Sequence, residues 1–572
     1  MAQEEIYDVV IIGAGHNGTT TAAYLAKSGL SVCVLEERPE SGGAQETAEP
    51  MAGVRIQPHA IANYGGSAPG WEQLELWKYG FRMDWNPNVP VEHHFGERYM
   101  YTRDGLSLVT DKDKMGWAKI ACMFAGPHAY RDLMRATFWC PPHPPHVELD
   151  EYTIPFMQVY KQHEPEVWTR ELLEMTMFDL MDEYLETEPF KVNQAYIALS
   201  SGGHGHMEGV AIPALCSVAT VGPPATAKPV AARGNMHGYY HALFRCAVAN
   251  GAVFRTCCPV EEILISNGRA TGVRLRDDAT WATKVIRARK AVISAAHIKP
   301  TFLDLIGPRH LDAGFLQRIK DLSLKGGSLY MSHYYTREQL RYRPEYRSSP
   351  DNVSFTGAFF NMESREIYFK NVENVLGRQE NLTLSPDEAM WGIVASAIYD
   401  PTNPQCTRPD RCINGPLWMM VPTPQYNVDG ADAMDRDEEK KRWDEFMRAS
   451  FACVVENLDD DNLIRVISDT PYEQEMRNTG MLGGSWYGIR CDRDQWWNER
   501  PLPELARYRV PGIDGLYLAH QSAAHPGGLC LMAVGYNLMH ILIEDGVAEP
   551  GDWWYASPWY IPEEGKRSAA RN

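Results

Sequence analysis

The first forty residues alternate between apolar runs and a helical stretch of small residues. Residues 6–12, IYDVVII, form an apolar, β-branched run typical of a strand that is buried on both faces of a parallel sheet. The turn GAGHNG follows, and TTTAAYLAKSGL has helical spacing with a small-residue face that can pack closely on a sheet. Residues 31–37, SVCVLEE, have the pattern of the next strand. The pattern therefore predicts a strand–turn–helix–strand unit of about the minimum length.

Similar patterns return in the middle and at the end of the chain. Residues 236–250 carry apolar side chains on one helical stripe. We expect the segments that follow to extend the sheet begun at the N-terminus. They are strand-like runs at 260–265, 270–276, 282–288 and 291–296, then a strand at 515–520 and a helix at 529–544.

The intervening stretches have a different character. Residues 70–230 are rich in Trp, Met, His and Pro, with helical spacing at 166–186, and this predicts a second, mostly helical lobe with long loops. Residues 549–572 have the composition of an aromatic surface tail. Residues 306–494 mix strand-like pieces at 328–335, 355–360 and 392–399 with a long amphipathic helix near 434–458.

Charge and composition exclude several classes of protein. The 572 residues carry 55 Lys and Arg against 74 Asp and Glu, and the net charge of −19 repels nucleic acid. No run of 18 apolar residues predicts a membrane-spanning helix, and MAQEEIYDVV lacks the features of a signal peptide. The 12 Cys are scattered and none is spaced C-x-x-C, which favours free thiols in a reducing compartment. We therefore expect a cytoplasmic protein without a redox cysteine pair.

The clearest chemical signal lies in the first turn. Gly13, Gly15 and Gly18 form G-x-G-x-x-G between the strand and the helix, and Glu36 ends the second strand. The first glycine permits a tight turn, the second lets the backbone approach a pyrophosphate, and the third lets the helix pack against the strand. The helix N-terminus faces the phosphates, and Glu36 can accept hydrogen bonds from ribose hydroxyls. This arrangement predicts a dinucleotide site, although the glycines alone do not distinguish FAD from NAD.

The residues after the motif resemble a known family. Arg38, Gly42 and Gly43 extend Glu36 to E-x-R-x-x-x-G-G. The whole segment YDVVIIGAGHNGTTTAAYLAKSGLSVCVLEERPESGG is similar to the FAD-binding start of the phytoene desaturase-like flavoproteins, within the amine oxidase-type superfamily. The branch it resembles is that of pyridine nucleotide-disulfide oxidoreductase domain-containing protein 2. Segments that begin PVAARGNMHGYY and RPLPELARYRVPG are also similar to the family. The resemblance implies FAD as the cofactor.

The resemblance also implies further cofactor-binding residues. In the family a strand backbone meets the adenine, and Val260 holds that position here. The closing His-Pro-Gly-Gly, which contains Gly527 and Gly528, would lie against the flavin ring, where a helix N-terminus suits negative charge at the N1/O2 edge. Asn537 keeps the last position of the family's Gly-Arg-Asn. Leu529 replaces a glycine of the family pattern, so the surroundings of the ring are expected to differ.

The expected fold is α/β, with a discontinuous, Rossmann-like FAD-binding domain and a mixed α+β substrate lobe. The FAD-binding domain is assigned residues 1–70, 229–305 and 495–548, the substrate-binding lobe residues 71–228 and 306–494, and the C-terminal tail residues 549–572.

Four residues are candidates for catalysis. His525 and His520 lie on the strand-to-helix loop that would face the flavin, where either could exchange a proton or could only shape the loop. His59 follows a segment that passes the cofactor in the family, and it is a candidate for the substrate face. Tyr536 replaces the family's Arg, and it either projects toward the ring or packs in the core.

No metal site is predicted. His204, His206 and Glu208 alternate in a glycine-rich loop, but such loops fix ligands poorly and a fourth ligand is not evident in the sequence.

The implied reaction is transfer of hydride from a C–H of an apolar or alicyclic small molecule to flavin N5, with formation of a double bond. The electrons would then pass to oxygen, a quinone or another acceptor. The alternatives are a flavin amine oxidase, a non-redox isomerase, or a non-catalytic prenyl- or lipid-binding module like the Rab GDP-dissociation inhibitors. Nucleic acid is not an expected partner, and peripheral membrane contact and homo-oligomerisation are left open.

Overall fold

The structure is a computed structural model, and the description below covers only part of the 572 residues. The described residues are 4–60, 69–85, 93–95, 99–102, 105–107, 109–124, 127–145, 147, 158–159, 166–167, 169–198, 203–215, 230–232, 234–324, 330–347, 349–351, 353–355, 357–376, 384–394, 412–419, 437–485, 487–527 and 532–565.

The strands are short, and the helices are mostly of ordinary length. The strands are β1 Glu5–Ile12, β2 Val32–Leu35, β3 Ala48–Met51, β4 Val54–Ile56, β5 Met83–Trp85, β6 His93–Phe95, β7 Tyr99–Thr102, β8 Gly105–Ser107, β9 Val230–Ala232, β10 Val253–Arg255, β11 Val260–Ser266, β12 Arg269–Leu275, β13 Val285–Ser294, β14 Tyr330–Thr336, β15 Gly357–Phe360, β16 Trp391–Val394, β17 Cys412–Met419, β18 Leu463–Asp469 and β19 Leu516–Leu518. The helices include α1 His16–Lys27, α2 Gly70–Gln73, α3 Asp111–Ile120, α4 Pro127–Ala136, α5 Met177–Tyr184, α6 Glu188–Ile197, α7 Asn235–Ala249, α8 Ile298–Pro300, α9 Ala313–Asp321, α10 Arg365–Leu376, α11 Asp437–Ala452, α12 Pro471–Arg477 and α13 Ala533–Glu544.

The first sheet is built around parallel strands. Its order is β10-β2-β1-β13, with β19 parallel to the end of β13 and the antiparallel pair β12 and β11 along its beginning. Val9 lies opposite both Val32 of β2 and Ala291 of β13, so β1 is a central strand. The side chains of residues 9–11 are fully buried, because α1, α7 and α13 pack against this part of the molecule. The predicted α/β fold class is confirmed.

One prediction in this sheet is corrected. The runs 282–288 and 291–296 were expected to be separate strands, and they form the single strand β13. Its first half pairs with β12 and its second half with β19, while β1 pairs along both halves. The hydrophobic pattern changes along β13, and this change suggested two strands. Arg287 and Arg289 lie in the part that reaches solvent, whereas residues 291–294 are buried in the centre of the sheet.

The second sheet is mostly antiparallel, in the order β18-β14-β17-β16-β15-β6-β7-β8. Only the pair β15 and β6 is parallel among the pairings of its described residues. Helix α11 covers one face, where Trp443 stacks on Tyr330 with ring centroids 5.8 Å apart and Phe451 meets the Tyr334 ring edge-on at 5.3 Å. Strands β6–β8 come from the region 70–230 and were not anticipated, although helices still outweigh strands among the described residues of that region.

Two predicted helices are shorter than their hydrophobic patterns. The segment 166–186 divides into a 3₁₀ turn, Arg170–Leu173, and α5, because Thr176 and Asp179 form a capping box that starts a new helix. The segment 434–458 ends as α11 at Ala452, because Val454 accepts a backbone hydrogen bond from Arg343. Val454 then lies in a turn and Val455 in a β-bridge with Tyr342, so the apolar pattern continues beyond the helix.

The C-terminal residues are not a surface tail over their described length, 549–565. Trp554 is only 3% exposed, and its ring lies 5.6 Å from that of Tyr24 on α1 and 5.2 Å from that of Tyr536 on α13. Trp553 stacks on Tyr24 at 6.0 Å. The aromatic composition that suggested a surface tail therefore reflects packing against the helix that follows the glycine motif.

The division of the chain into domains stays a prediction. The strands of the first sheet come from three separate stretches, 5–35, 253–294 and 516–518. Those of the second sheet come from 93–107 and 330–469. Within the described residues, no helix combines the length and apolar character needed to cross a membrane.

Candidate functional site

The turn between β1 and α1 requires glycine at two positions. Gly13 has φ +95°, and a Cβ there would lie 3.1 Å from the backbone oxygen of Ala295. A Cβ on Gly18 would lie 2.2 Å from the backbone oxygen of Gly13, a distance that side chains do not reach. The third glycine of the motif thus sets how closely α1 packs on β1.

The N-terminus of α1 is open to an anion. Its N-cap is Gly15, which has no side chain to cap the helix, and the first turn has no acidic residue. A Cβ on Gly15 would meet only Gly43 Cα, at 3.8 Å, so the glycine leaves free space above the helix N-terminus. The first backbone N–H groups of a helix lack intrahelical partners and carry partial positive charge. This end of α1 can therefore receive a phosphate.

Glu36 stands directly after β2 and faces the same space. Its Oε2 accepts a hydrogen bond from the backbone N of Ala14 at 2.8 Å, and its Oε1 accepts one from the backbone N of Arg38 at 3.1 Å. Burial raises the pKa of Glu36, although these N–H donors and the Arg38 charge act in the opposite direction. The carboxylate is thus fixed beside the turn by the backbone.

A second glycine turn lies against the first. Gly42 has φ +137° and Gly43 φ +58°, and Gly42 forms a β-bridge with Gly15. A Cβ on Gly43 would lie 3.0 Å from Gly15 Cα, so the two turns approach more closely than other residues would allow. Arg38 is held nearby by an ion pair with Glu46.

The turns open into a cavity of about 510 Å³. It follows the carboxyl ends of β2, β1, β13 and β19, where ligands of open α/β sheets bind. The opposite wall comes from the end of α12 and the residues after it, which extend from the second sheet. The lining includes Gly13, Gly15, His16, Asn17, Gly18, Glu36, Glu37, Arg38, Gly43, Ala44, Cys258, Pro259, Val260, Arg276, Ala295, Ala296, His297, Glu475, Asn478, Thr479, Gly480, Met481, Leu482, His520 and Gln521.

The structure brings most of the sequence-predicted residues to this cavity. Those in its lining are Gly13, Gly15, Gly18, Glu36, Arg38, Gly43, Val260 and His520. Gly42 lies immediately behind it, in the bridge to Gly15. Gly528 falls outside the described residues. Gly527 has φ +87°, and a Cβ there would lie 2.4 Å from the ring of Tyr487, so close packing alone accounts for that glycine.

His525 is buried away from the lining of this cavity. Its side chain has no exposed surface and lies among aromatic rings, with Trp497 at 4.8 Å and Trp496 at 5.7 Å between centroids. Its Nε2 is 3.1 Å from the backbone oxygen of Thr137. Burial lowers the pKa of His525 to about 3. A neutral ring held in this way shapes the loop.

His59 lies beside a buried carboxylate. Its Nε2 is 3.3 Å from Glu46 Oε1, and the two side chains are 2% and 4% exposed. Its Nδ1 is buried without a hydrogen-bond partner among the described residues. The neighbouring Ala60 donates its backbone N–H to the oxygen of Ala44, a cavity residue, at 3.0 Å. His59 is thus one residue away from the cavity wall.

Tyr536 and Asn537 are engaged within the protein. The Tyr536 hydroxyl donates to the backbone oxygen of Tyr555 at 3.1 Å, in a cluster with His540 and Trp554. The Asn537 amide donates to the backbone oxygen of Phe138 at 2.9 Å, while its Oδ1 has no partner in the described part of the chain. Of the two readings for Tyr536, the structure favours core packing.

Several lining residues were missed from the sequence. His16 and Asn17 lie inside the glycine motif, and their position at the start of the helix could have signalled contact with the cavity. Ala295–His297 follow a predicted strand of the same sheet, so the strand-end rule could also have found them. The wall at 478–482 carries no local signal, because it comes from a distant part of the chain.

No metal cluster is found within the described ranges: no three or more His, Cys, Asp or Glu side chains are placed to hold an ion. His206 Nδ1 lies 3.4 Å from the Tyr368 hydroxyl instead. Cys257 and Cys258 are free.

Two family models, both of oxidoreductases, match separate segments of the chain. The model described as FAD dependent oxidoreductase matches residues 8–105, and the model described as GMC oxidoreductase matches residues 222–307. The protein is an FAD-dependent oxidoreductase. The first match begins in β1 and includes both glycine turns, and the second includes α7 and β10–β13.

Relatives of this FAD-dependent oxidoreductase match it from end to end. Pyridine nucleotide-disulfide oxidoreductase domain-containing protein 2 of Rattus norvegicus is 25% identical over 585 residues, which is 94% of each chain. A limonene dehydrogenase chain of Castellaniella defragrans is 23% identical over 573 residues, 95% of this chain and 96% of the relative. A solved structure of a putrescine oxidase variant superposes with a TM-score of 0.57 at 15% identity, over 95% of this chain and 99% of that one. That likeness shows a shared fold.

Several structural features of the cavity match the groups of an FAD molecule. The uncapped N-terminus of α1 suits the pyrophosphate, and the Gly15 position is free of side-chain atoms where the phosphates would approach. Glu36 is fixed at the end of β2, where it can accept from ribose hydroxyls. Asn17 Oδ1, at the same helix end, is buried without a partner among the described residues. The non-catalytic alternative is thereby set aside, because both the family matches and the cavity indicate a flavoenzyme.

Proposed function

We propose that this FAD-dependent oxidoreductase is a dehydrogenase or desaturase that removes hydride from a C–H of an apolar or alicyclic small molecule. The observation that carries the proposal is the end-to-end similarity to the limonene dehydrogenase chain, whose name states an alicyclic hydrocarbon as substrate. Similarity over 95% of the chain includes the second sheet as well as the glycine turns. The substrate-side part of the molecule is therefore shared with that relative.

FAD supplies the hydride acceptor, N5 of its flavin ring, when it is bound. The residues proposed to hold it are Gly13, Gly15, Gly18, Glu36, Arg38, Gly42, Gly43 and Val260, and only the family resemblance adds Gly527, Gly528 and Asn537 toward the ring. Glu36 accepts from the ribose, the glycine turns admit the pyrophosphate, and the backbone at Val260 meets the adenine.

Buried methionines in and near the second sheet support an apolar substrate. Met331 of β14, Met362 and Met390 are each at most 1% exposed, and they belong to the same core as Val9 of β1. Such surroundings exclude water and favour hydrocarbon over charged ligands. A substrate carbon held there can be oriented against the cofactor without competition from solvent.

His59 is the proposed proton acceptor. Desaturation removes a hydride from one carbon and a proton from its neighbour, and the two remaining electrons form the double bond. Glu46 Oε1 lies 3.3 Å from His59 Nε2 and favours the ring proton on that nitrogen, which leaves Nδ1 with a lone pair to take the proton. His525 and His520 are less suited, since His525 is enclosed by tryptophans and His520 Nδ1 is occupied by Ser522.

The test is anaerobic bleaching of the flavin band near ~450 nm in the purified holoprotein. We expect a cyclic monoterpene or related alicyclic compound to bleach the band and to yield a product with one additional double bond. His59→Gln should slow bleaching by about 10²- to 10⁴-fold without changing FAD content. His310→Gln, at a histidine in a surface turn beside Arg309, is the matched control and should bleach at the original rate.

Other substrates in the same experiment decide between the reactions. Bleaching by primary amines alone would replace the proposal with an amine oxidase. Rearrangement of an alicyclic compound without net bleaching would indicate an isomerase. Reoxidation by oxygen or by a quinone then identifies the electron acceptor.

The cytoplasmic location, the question of membrane contact and the oligomeric state stay predictions that these assays leave unchanged.

A further inference from the structure

The ring of His520 is locked in one protonation form by its neighbour. The backbone N of Ser522 donates to His520 Nδ1 at 3.1 Å, and Ser522 Oγ lies 2.7 Å from the same nitrogen. Ser522 Oγ also accepts from the backbone N of Ile298 at 2.9 Å, so its own proton is free to point at His520. A nitrogen that accepts from a backbone N–H carries a lone pair and no proton. The single proton of the neutral ring is therefore on Nε2.

The Nε2–H group has no hydrogen-bond partner among the described residues, and the ring faces the FAD cavity. His520 is 9% exposed and forms part of the cavity lining. Its Nε2 lies 3.2 Å from the position that a Cβ on Gly480, another lining residue, would occupy. An N–H donor at the cavity surface can donate to an acceptor of a bound ligand, and a ligand that covered it without such an acceptor would bind at a cost in free energy.

The loop that carries His520 is held rigidly. Ala519 donates its backbone N–H to the oxygen of Ser294 at 2.7 Å. The buried guanidinium of Arg500 donates to the backbone oxygen of Gln521 at 2.6 Å. Burial lowers the pKa of His520 well below its usual range, and the nearby His297, His16 and Arg500 act in the same direction. The donor is thus neutral and fixed in direction.

The order of the strands indicates which part of FAD this donor would meet. Glu36 follows β2, the glycine motif follows β1, and His520 follows β19, on the far side of β13. An FAD laid across these strand ends places its ribose at Glu36 and its pyrophosphate at the motif. The next group along the molecule is the ribityl chain with the phosphate that bears it.

We propose that His520 is a cofactor-binding residue that donates a hydrogen bond from Nε2 to a phosphate or ribityl oxygen in the flavin-mononucleotide half of FAD. His520 was a candidate for proton exchange, and the proposal assigns it to positioning the cofactor instead. His297 lines the same cavity but uses both ring nitrogens within the protein, with Gly488 O at 3.0 Å from Nε2 and the backbone N of Lys299 at 3.2 Å from Nδ1. The two histidines therefore have different roles despite being neighbours.

The experiment measures FAD binding to the apoprotein by quenching of flavin fluorescence, and AMP binding by displacement of FAD with AMP. We expect His520→Ala and His520→Phe to bind FAD about 10- to 100-fold more weakly, the range for hydrogen bonds to charged groups. AMP lacks the whole flavin-mononucleotide half, including its phosphate, so its affinity should stay unchanged. His520→Gln, which restores an N–H donor, should recover most of the FAD affinity.

Unchanged FAD affinity in both variants would overturn the proposal. Parallel losses of FAD and AMP affinity in both variants would also overturn it, because the effect would then not be specific to the flavin half. The inference rests on the cofactor placement proposed above, and the unmodified apoprotein separates the two. Failure of that protein to bind either FAD or AMP contradicts the placement itself, whereas normal binding of both with no effect of His520 contradicts only this inference.

Discussion

At the residue scale, Glu46 is the most strongly perturbed carboxylate beside the cavity. Burial would raise its pKa, but the hydrogen bond and charge of His59 and the charge of Arg38 outweigh burial and hold the pKa at about 2, against an ordinary 4.5. A carboxylate whose pKa is lowered by folding stabilises the protein above its unfolded pKa. This stabilisation is lost as the pH falls from about 4.5 toward 2.

Glu46→Gln should therefore destabilise the protein at neutral pH. It leaves the charges of Arg38 and Arg477 without their buried partner, and such a loss lowers the free energy of unfolding by about 3–5 kcal/mol. In urea unfolding, the difference from the unmodified protein should be constant above pH 5 and should shrink toward pH 3. Glu40→Gln, at an exposed carboxylate, is the control and should change unfolding by less than about 0.5 kcal/mol. A difference that grows as the pH falls would contradict this account.

At the element scale, the turn between β1 and α1 gives two glycines different roles. Gly15→Ala adds a Cβ that meets only Gly43 Cα, so the apoprotein should fold with unchanged stability, while the methyl group occupies the space proposed for the pyrophosphate. Gly18→Ala drives a Cβ into the backbone of Gly13 and should destabilise the fold by about 1–3 kcal/mol, as overpacking does. FAD titration and urea unfolding of both apoproteins separate the effects. The assignment fails if Gly15→Ala binds FAD normally.

The secondary-structure elements near the glycine motif could be predicted from the sequence, and some elsewhere could not. The elements around the glycine motif were found to within three residues at each end, because β1, α1, β2 and α7 each keep one hydrophobic pattern along their length. Helix α11 was drawn too long, since its apolar pattern continues into backbone that pairs with Arg343. The tail was placed on the surface, since composition does not reveal that Trp554 packs on Tyr24.

The residues of the candidate site also divide into those that the sequence could predict and those that it could not. Residues in the strand-end turns were found, because the motif encodes backbone geometry within a few positions. The far wall at 478–482 and the pairing of His59 with Glu46 depend on how distant segments meet, and no local spacing records that. The role of His520 depended on which ring nitrogen Ser522 occupies, a property of the folded loop rather than of the residue type.

At the scale of the whole molecule, the cavity lies between the two sheets, and Arg477 is one of the described residues that connect them there. It ends α12, directly before the wall at 478–482. Its Nη2 lies 2.5 Å from Asp469 Oδ1 on β18, and its Nε lies 3.6 Å from Glu46 Oε1 beside the glycine turns. The guanidinium thus connects the end of the second sheet with the first turn of the FAD site.

Arg477→Met should loosen this wall and release FAD faster. The variant removes both ion pairs and leaves Glu46 and Asp469 buried with one partner fewer, so we expect FAD to dissociate about tenfold faster, equivalent to ~1.4 kcal/mol. The rate is measured from the recovery of flavin fluorescence after dilution of the holoprotein. Lys441→Met removes an exposed ion pair with Glu445 at 3.9 Å and should leave the rate unchanged, because surface pairs contribute little. If Arg477→Met retains FAD as long as the unmodified protein does, the wall is held by packing alone, and the second sheet contributes shape but no electrostatic restraint to the cofactor site.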